Sequence, residues 1–298
     1  MSFRDLQLLA LAVAGMAVFG VVDGSMWRGP STPTIAYRPA FLFGLILLFG
    51  WRALVWCQIV LLALFLYFFG WRGAIFVEPQ YLVSYACAFV VAKRLAGPES
   101  WLSRERSTLA FLAGALLAPA IPAFTIEPVL RALGIPPPEA PPVVESWLRQ
   151  SAAILALAPV VLVYGSDWLK ERGAWPGERE RRQRMSGRDV VELVLEMVVW
   201  AGALLMTVHF KARYGLNITY LTFFPPLVFT LFRGMRGATI ALAANAIIAT
   251  TLWVQLHWAD SLSAGDLRLL IAVYSATILV LAAVVDERQR ARRHAARR

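Results

Sequence analysis

The apolar residues of this chain run in long windows, and its charges stand between the windows rather than alternating along amphipathic faces. A helix that crosses a hydrocarbon core of about 30 Å needs roughly 20 apolar residues, with about 17 still sufficient. The windows are Leu6 to Val22, Pro39 to Trp51, Ala53 to Trp71, Pro79 to Ala92, Ser107 to Ile126, Gln150 to Ser166, Val190 to Phe210, Tyr214 to Phe232, Gly237 to Ala259 and Leu269 to Val285. This pattern predicts an all-α, polytopic transmembrane helix bundle of 10 spans. The second and fourth windows hold only 13 and 14 residues, and Glu192 and Glu196 interrupt the seventh. A count of eight follows if two short windows are re-entrant. The first window has the length of a signal peptide, but Asp5 offsets Arg4 and Val21-Val22-Asp23-Gly24 lacks a small-x-small cleavage pattern, so it is read as a retained first helix.

Composition agrees with a membrane-embedded chain: 59% of the 298 residues are hydrophobic and 16% charged, too apolar for a water-facing surface. The net charge of +10 then reads as cationic loops on one side of the membrane rather than a nucleic-acid-binding surface. With the N-terminus inside, the inner set of loops holds 21 Lys and Arg and the outer set 8. The inner ones include Arg52, the group from Lys93 to Arg106, the group from Lys170 to Arg188, Arg233, Arg236 and six from Arg288 onward; the outer ones are Arg28, Arg38, Arg72, Arg131, Arg149, Lys211, Arg213 and Arg268. This asymmetry places both termini in the cytoplasm. Residues 1–285 form the membrane domain and 286–298 a basic cytoplasmic tail. Cys57 and Cys87 both fall inside apolar windows, where they indicate neither a disulfide framework nor a thiolate metal site.

The outer loop from Glu127 to Arg149 carries Pro136, Pro137, Pro138, Pro141 and Pro142 and reads as a stiff cap. The inner loop from Asp167 to Asp189 is the most charged segment and reads as a solvated linker or a partner surface. A weak parallel repeat overlays Tyr37-x-x-x-Phe41, Leu48-Phe49 and Gly50-Trp51-Arg52 on Tyr220-x-x-x-Phe224, Leu231-Phe232 and Gly234-Met235-Arg236 at an offset of 183, the last element displaced by one residue; chance likeness of apolar helices gives the same overlay. From Asp266 to the end there is neither Gly nor Pro. The last span is therefore expected to continue as a rod through Asp286, Glu287 and Arg288, either to pass motion to an output module or to pin the helix to anionic lipid through its arginines.

Catalysis needs convergent nucleophiles, bases or metal ligands, and His209, His257 and His294 are isolated. No catalytic residue, metal site or cofactor is assigned. Polar groups at membrane depth are costly and so are functional candidates, namely Glu196 and Asn245, the latter serving equally as structural glue. Arg38, Glu78, Trp147, Arg149, Gln150, Asn217 and Tyr220 would rim a ligand-binding mouth on the outer side, or mark headgroup depth.

The stretch from Trp147-Leu148-Arg149-Gln150 through Ala152-Ala153 to Ala158-Pro159 resembles the central motif of MASE1, a bacterial membrane-associated sensor domain. Three further stretches are similar to that family and lie in its order: Arg38-Pro39-Ala40 to Leu48-Phe49-Gly50-Trp51-Arg52-Ala53, Tyr220 to Leu231-Phe232-Arg233-Gly234-Met235-Arg236-Gly237-Ala238, and Leu281-Ala282-Ala283-Val284-Val285-Asp286-Glu287-Arg288. The chain departs from the family at Arg38, where a tryptophan is usual, at Gln150, where an acid is usual, and at Ala153, where glycine is usual. The resemblance implies a sensory input module in the inner membrane of a bacterial cell, for an unknown small ligand or a membrane partner, coupled to a cytoplasmic histidine kinase, diguanylate cyclase or PAS module and able to form a homodimer. That output is fused in relatives, and a chain ending at Arg298 is either part of a longer polypeptide or reaches its output as a separate partner. A secondary transporter of a small solute is the rival expectation, since short proline-bearing segments and repeats are features of carriers.

Overall fold

The computed structural model describes residues 36–97, 101–102, 104–134, 143–171, 187–216, 218–255 and 263–295, with a few positions near residues 10–18. Among the described residues the chain is helical and no strand occurs. The helices are α1 (Tyr37–Phe49), α2 (Trp51–Ala96), α3 (Glu105–Leu117), α4 (Ala120–Ala132), α5 (Val143–Glu171), α6 (Gly187–Tyr214), α7 (Phe224–Gln255, entered through a 3₁₀ turn at Thr219–Phe223) and α8 (Ala264–Ala295).

Six segments are long and apolar enough to cross a membrane: Gly70–Ala96, Glu105–Ala132, Val143–Glu171, Val190–Tyr214, Leu221–Thr251 and Ala264–Arg292. Two shorter apolar helices, Tyr37–Phe49 and Trp51–Tyr67, accompany them. The described residues thus hold fewer membrane-length helices than the ten windows suggest, because charges do not always end helices. The fourth window lies within a helix that also carries Arg72 and Glu78. The eighth and ninth windows fall largely on α7, where Arg233 and Arg236 flank a break at Gly234 rather than standing in a loop. The first window, the proline-rich stretch from Pro136 to Pro142 and the charged stretch from Arg172 to Ser186 lie outside or almost outside the described residues.

The shortest apolar helix is the most enclosed. Pro39, Ala40 and every residue from Leu42 to Leu48 on α1 are buried, as a helix apolar from Pro39 onward should be in a bundle interior. Small residues let neighbours close on it: a β-carbon on Gly44 would strike Val161, one on Gly114 the ring of Phe43, and one on Gly165 the side chain of Leu48. Gly44 facing Val161 and Leu48 facing Gly165 mean that α1 and α5 run in the same direction. Arg38 therefore stands level with Leu155 of α5, about one and a half turns from Gln150. Helix α5 packs on α1, α7 and α8, whereas α6 packs on α7 and stays peripheral, with only 22% of its apolar window buried. Its outer face, including Val191, Leu195 and Val198, is exposed hydrocarbon suited to lipid.

Three glycines turn the chain between helical segments, and one of them, Gly70 (φ 69, ψ 179), breaks α2. Gly50 (φ 69, ψ −148) links α1 to α2, and Gly234 (φ 61, ψ −152) divides α7 into 224–233 and 235–255; only glycine reaches this region without strain. Gly50 and Gly234 are the two that the repeat overlay brings within one residue. Gly97 (φ 73, ψ −154) ends α2 in the same conformation, so the shared geometry marks helix breaks and not specifically a repeat.

Candidate functional site

Helix α8 carries polar side chains at three heights, and each meets a different part of the bundle. At the start of its second turn the Arg268 guanidinium is fully buried and pairs with Glu145 of α5 at 2.8 Å. Such a charge is tolerated at depth because it is paired and hydrogen-bonded. Two turns further along, the Tyr274 hydroxyl accepts a hydrogen bond from the Asn245 amide of α7 at 3.3 Å. The same amide donates to Glu196 of α6 at 3.1 Å, so one buried side chain joins three helices. Beyond that, Asp286 accepts from the backbone N–H of Met235 at 3.3 Å, directly after the Gly234 break. Breaking a helix orphans the first N–H groups of the next segment, and Asp286 supplies an acceptor from another helix.

Along α8 the 18 positions from Arg268 to Asp286 rise about 27 Å, close to the thickness of a hydrocarbon core. Ion pairs gather at the same two levels. Lys211 lies 3.6 Å from Asp266 near the Arg268 end. At the other end Arg236 binds Asp167 at 2.8 Å and Arg233 pairs with Glu192. Each pair joins residues that the loop charges assign to one side of the membrane.

The candidates for an outer mouth are only partly brought together. Arg149 and Gln150 are both buried on α5, one turn past Glu145, and the Gln150 carbonyl oxygen has no hydrogen-bond partner among the described residues. Arg38 lies over the rings of Phe65 (5.3 Å) and Tyr81 (5.7 Å), a cation–π cage of its own. Trp147 is committed elsewhere: its indole N–H donates to the Leu116 carbonyl at 2.8 Å and ties α5 to α3. Glu78 is half-buried and bonds to none of the others among the described residues. Asn217 lies outside the described residues, and of Tyr220 only the backbone, in the 3₁₀ turn, is described.

The intramembrane pair fares better, since Glu196 and Asn245 are in direct contact across 49 positions of sequence. Sequence reasoning missed Tyr274, a lone hydroxyl in an apolar span, and Arg268, which it placed in an outer loop. The apolar run from Leu269 begins directly after Arg268, and that adjacency was the available signal. In the tail, Asp286 reaches the Gly234 corner, Glu287 lines a cleft with Arg104 and Arg106, and Arg288 is exposed.

Comparison with family models, curated proteins and solved structures finds no match for this chain.

Proposed function

We propose that this chain is a membrane-embedded sensory input module of the MASE1 kind, in which a ligand or membrane partner shifts α8 and α8 passes that shift to a cytoplasmic kinase or cyclase output. The observation that supports this most is the unbroken α8, one rigid 32-residue helix fastened at Arg268, Tyr274 and Asp286. A displacement at any one fastening must strain the other two, because a helix this regular transmits shift and rotation rather than absorbing them. In this reading the cation-rich rim holding Arg233 and Arg236 faces the cytoplasm, both termini lie there, and the remaining sequence windows complete the membrane crossings. The stimulus acts near Gln150, Trp147, Arg38 and Tyr220 on the opposite side. Moving a state from 1% to 99% populated takes about 5.5 kcal/mol of differential affinity, more than one hydrogen bond contributes, so several of these residues share the work.

The test is a fusion of the chain beyond Asp286 to a reporter kinase in successive one-residue insertions. Output that rises and falls with a period near 3.6 residues is expected, and output independent of register would sink the rod mechanism. Gln150→Ala should blunt the response with expression unchanged, whereas Trp147→Ala also loses the tie to Leu116 and should lower stability.

The Glu196–Asn245–Tyr274 cluster supports a second reading, a secondary carrier, because carriers place ionisable groups at mid-membrane. Solute flux through the purified protein in liposomes would favour that reading and remove the sensor.

A further inference from the structure

The face of α6 made by Glu192, Leu195, Glu196 and Val199 follows the i, i+3, i+4, i+7 spacing of one helical stripe. Opposite it stands the first half of α7, and between them opens a cleft of about 830 Å³. Leu195 and Val199 form one wall and Phe224, Val228 and Phe232 the other; all five are more than 40% exposed, so the cleft opens sideways toward lipid. The Arg233–Glu192 ion pair lies at one end of it. Glu196 lies in its lining, 6% exposed.

Only one Glu196 oxygen is engaged, by Asn245; the other is buried and without a hydrogen-bond partner among the described residues. Asn245 is a neutral donor, so the carboxylate has hydrogen bonding but no counter-charge from it. A buried carboxylate is costly unless it is protonated or paired, and the completion that keeps it charged is a cation that also donates a hydrogen bond. Its body must be apolar to fill walls of leucine, valine and phenylalanine, and it must arrive through lipid.

We propose that this lateral cleft is a binding site for a membrane-dissolved organic ammonium, its charged head on the open oxygen of Glu196 and its apolar body between α6 and the first half of α7. The assignment goes beyond the sensor reading and holds whether the chain signals or transports. Because Asn245 connects Glu196 to Tyr274, an occupant here touches the network that fastens α8 at mid-depth.

The test uses the full chain in nanodiscs and decylamine carrying a diazirine on its alkyl chain. Irradiation should give saturable labelling mapped to Val199, Phe224, Val228 or Phe232. Unlabelled decylamine should compete, and decanol and decanoate should not. Glu196→Gln should weaken labelling roughly tenfold or more, as expected for loss of a charge-assisted hydrogen bond. Val199→Trp keeps Glu196 intact but fills the cleft, and should abolish labelling even if the Gln variant folds poorly. Labelling that is non-saturable and spread over the exposed faces of other helices would show a lipid-facing surface only and overturn the site. Equal competition by decanol, or undiminished labelling of both variants, would overturn it too.

Discussion

At the residue scale the central fact is that a single amide, Asn245, serves two partners on different helices. Hydrogen bonds between membrane helices contribute about 0.6 kcal/mol on average, whereas a buried polar group left without its partner costs about 1–3 kcal/mol. The two magnitudes separate two variants. Tyr274→Phe removes one acceptor and keeps the ring, so its thermal midpoint in detergent should fall only slightly. Asn245→Ala removes the donor to both Glu196 and Tyr274, opens space in the core and should cost about 2 kcal/mol or more. Equal midpoints for the two would mean that the amide does not bridge. Sequence could nominate Glu196 and Asn245, since each is a costly group in an apolar window. It could not pair them, because helical periodicity describes one helix at a time and says nothing of which faces meet. Arg268 was illegible for the opposite reason: a cation at the edge of an apolar run looks solvated until Glu145, 123 positions away, is seen to neutralise it.

At the element scale the decisive feature is the Gly234 corner. A non-glycine residue at φ 61 and ψ −152 is strained by about 1–3 kcal/mol, and a β-carbon there would also collide with the Asp286 carboxylate. Gly234→Ala should therefore destabilise by more than either effect alone. Asp286→Ala frees the space but abandons the Met235 N–H, so it should cost about 1 kcal/mol in the native background. Combined, the two substitutions should fall short of the sum, because one relieves the collision that the other creates. Strict additivity in thermal unfolding would show that Asp286 does not sit on the corner. This element was half legible. The overlay of Gly50-Trp51-Arg52 on Gly234-Met235-Arg236 picked out two of the glycines that break helices and missed Gly70, while windows bounded by charges treated Arg233 and Arg236 as a loop. Their pairing with Glu192 and Asp167 is what lets the charges remain beside a tight corner, and pairing is a tertiary property. Asp286 was singled out for the output helix it stands on, and its contact with the corner supplies a physical reason for an acid there.

At the scale of the whole molecule, the two levels of ion pairs define opposite faces, and loop charge proposes which face is cytoplasmic. The helical segment Glu105–Ala132 connects them, since 28 residues rise about 42 Å and exceed the hydrocarbon core. Its two ends therefore make a direct assay. Glu105 is exposed beside the Lys93–Arg106 group, and Arg131 is exposed at the far end, where among the described residues it pairs with Glu127 of its own helix. Replacing Cys57 and Cys87 by alanine and introducing Glu105→Cys or Arg131→Cys one at a time leaves a single thiol on a known level. Neither substitution should disturb folding, because exposed charges and i, i+4 surface pairs contribute little. With a membrane-impermeant maleimide on intact spheroplasts, Arg131→Cys should label at once and Glu105→Cys only after the membrane is opened. The reverse pattern would invert the molecule and put the end of α8 outside, where no cytoplasmic output could read it. Labelling of both from the same side would mean that Glu105–Ala132 does not cross at all, because its break at Ala118–Pro119 would then be a re-entrant turn.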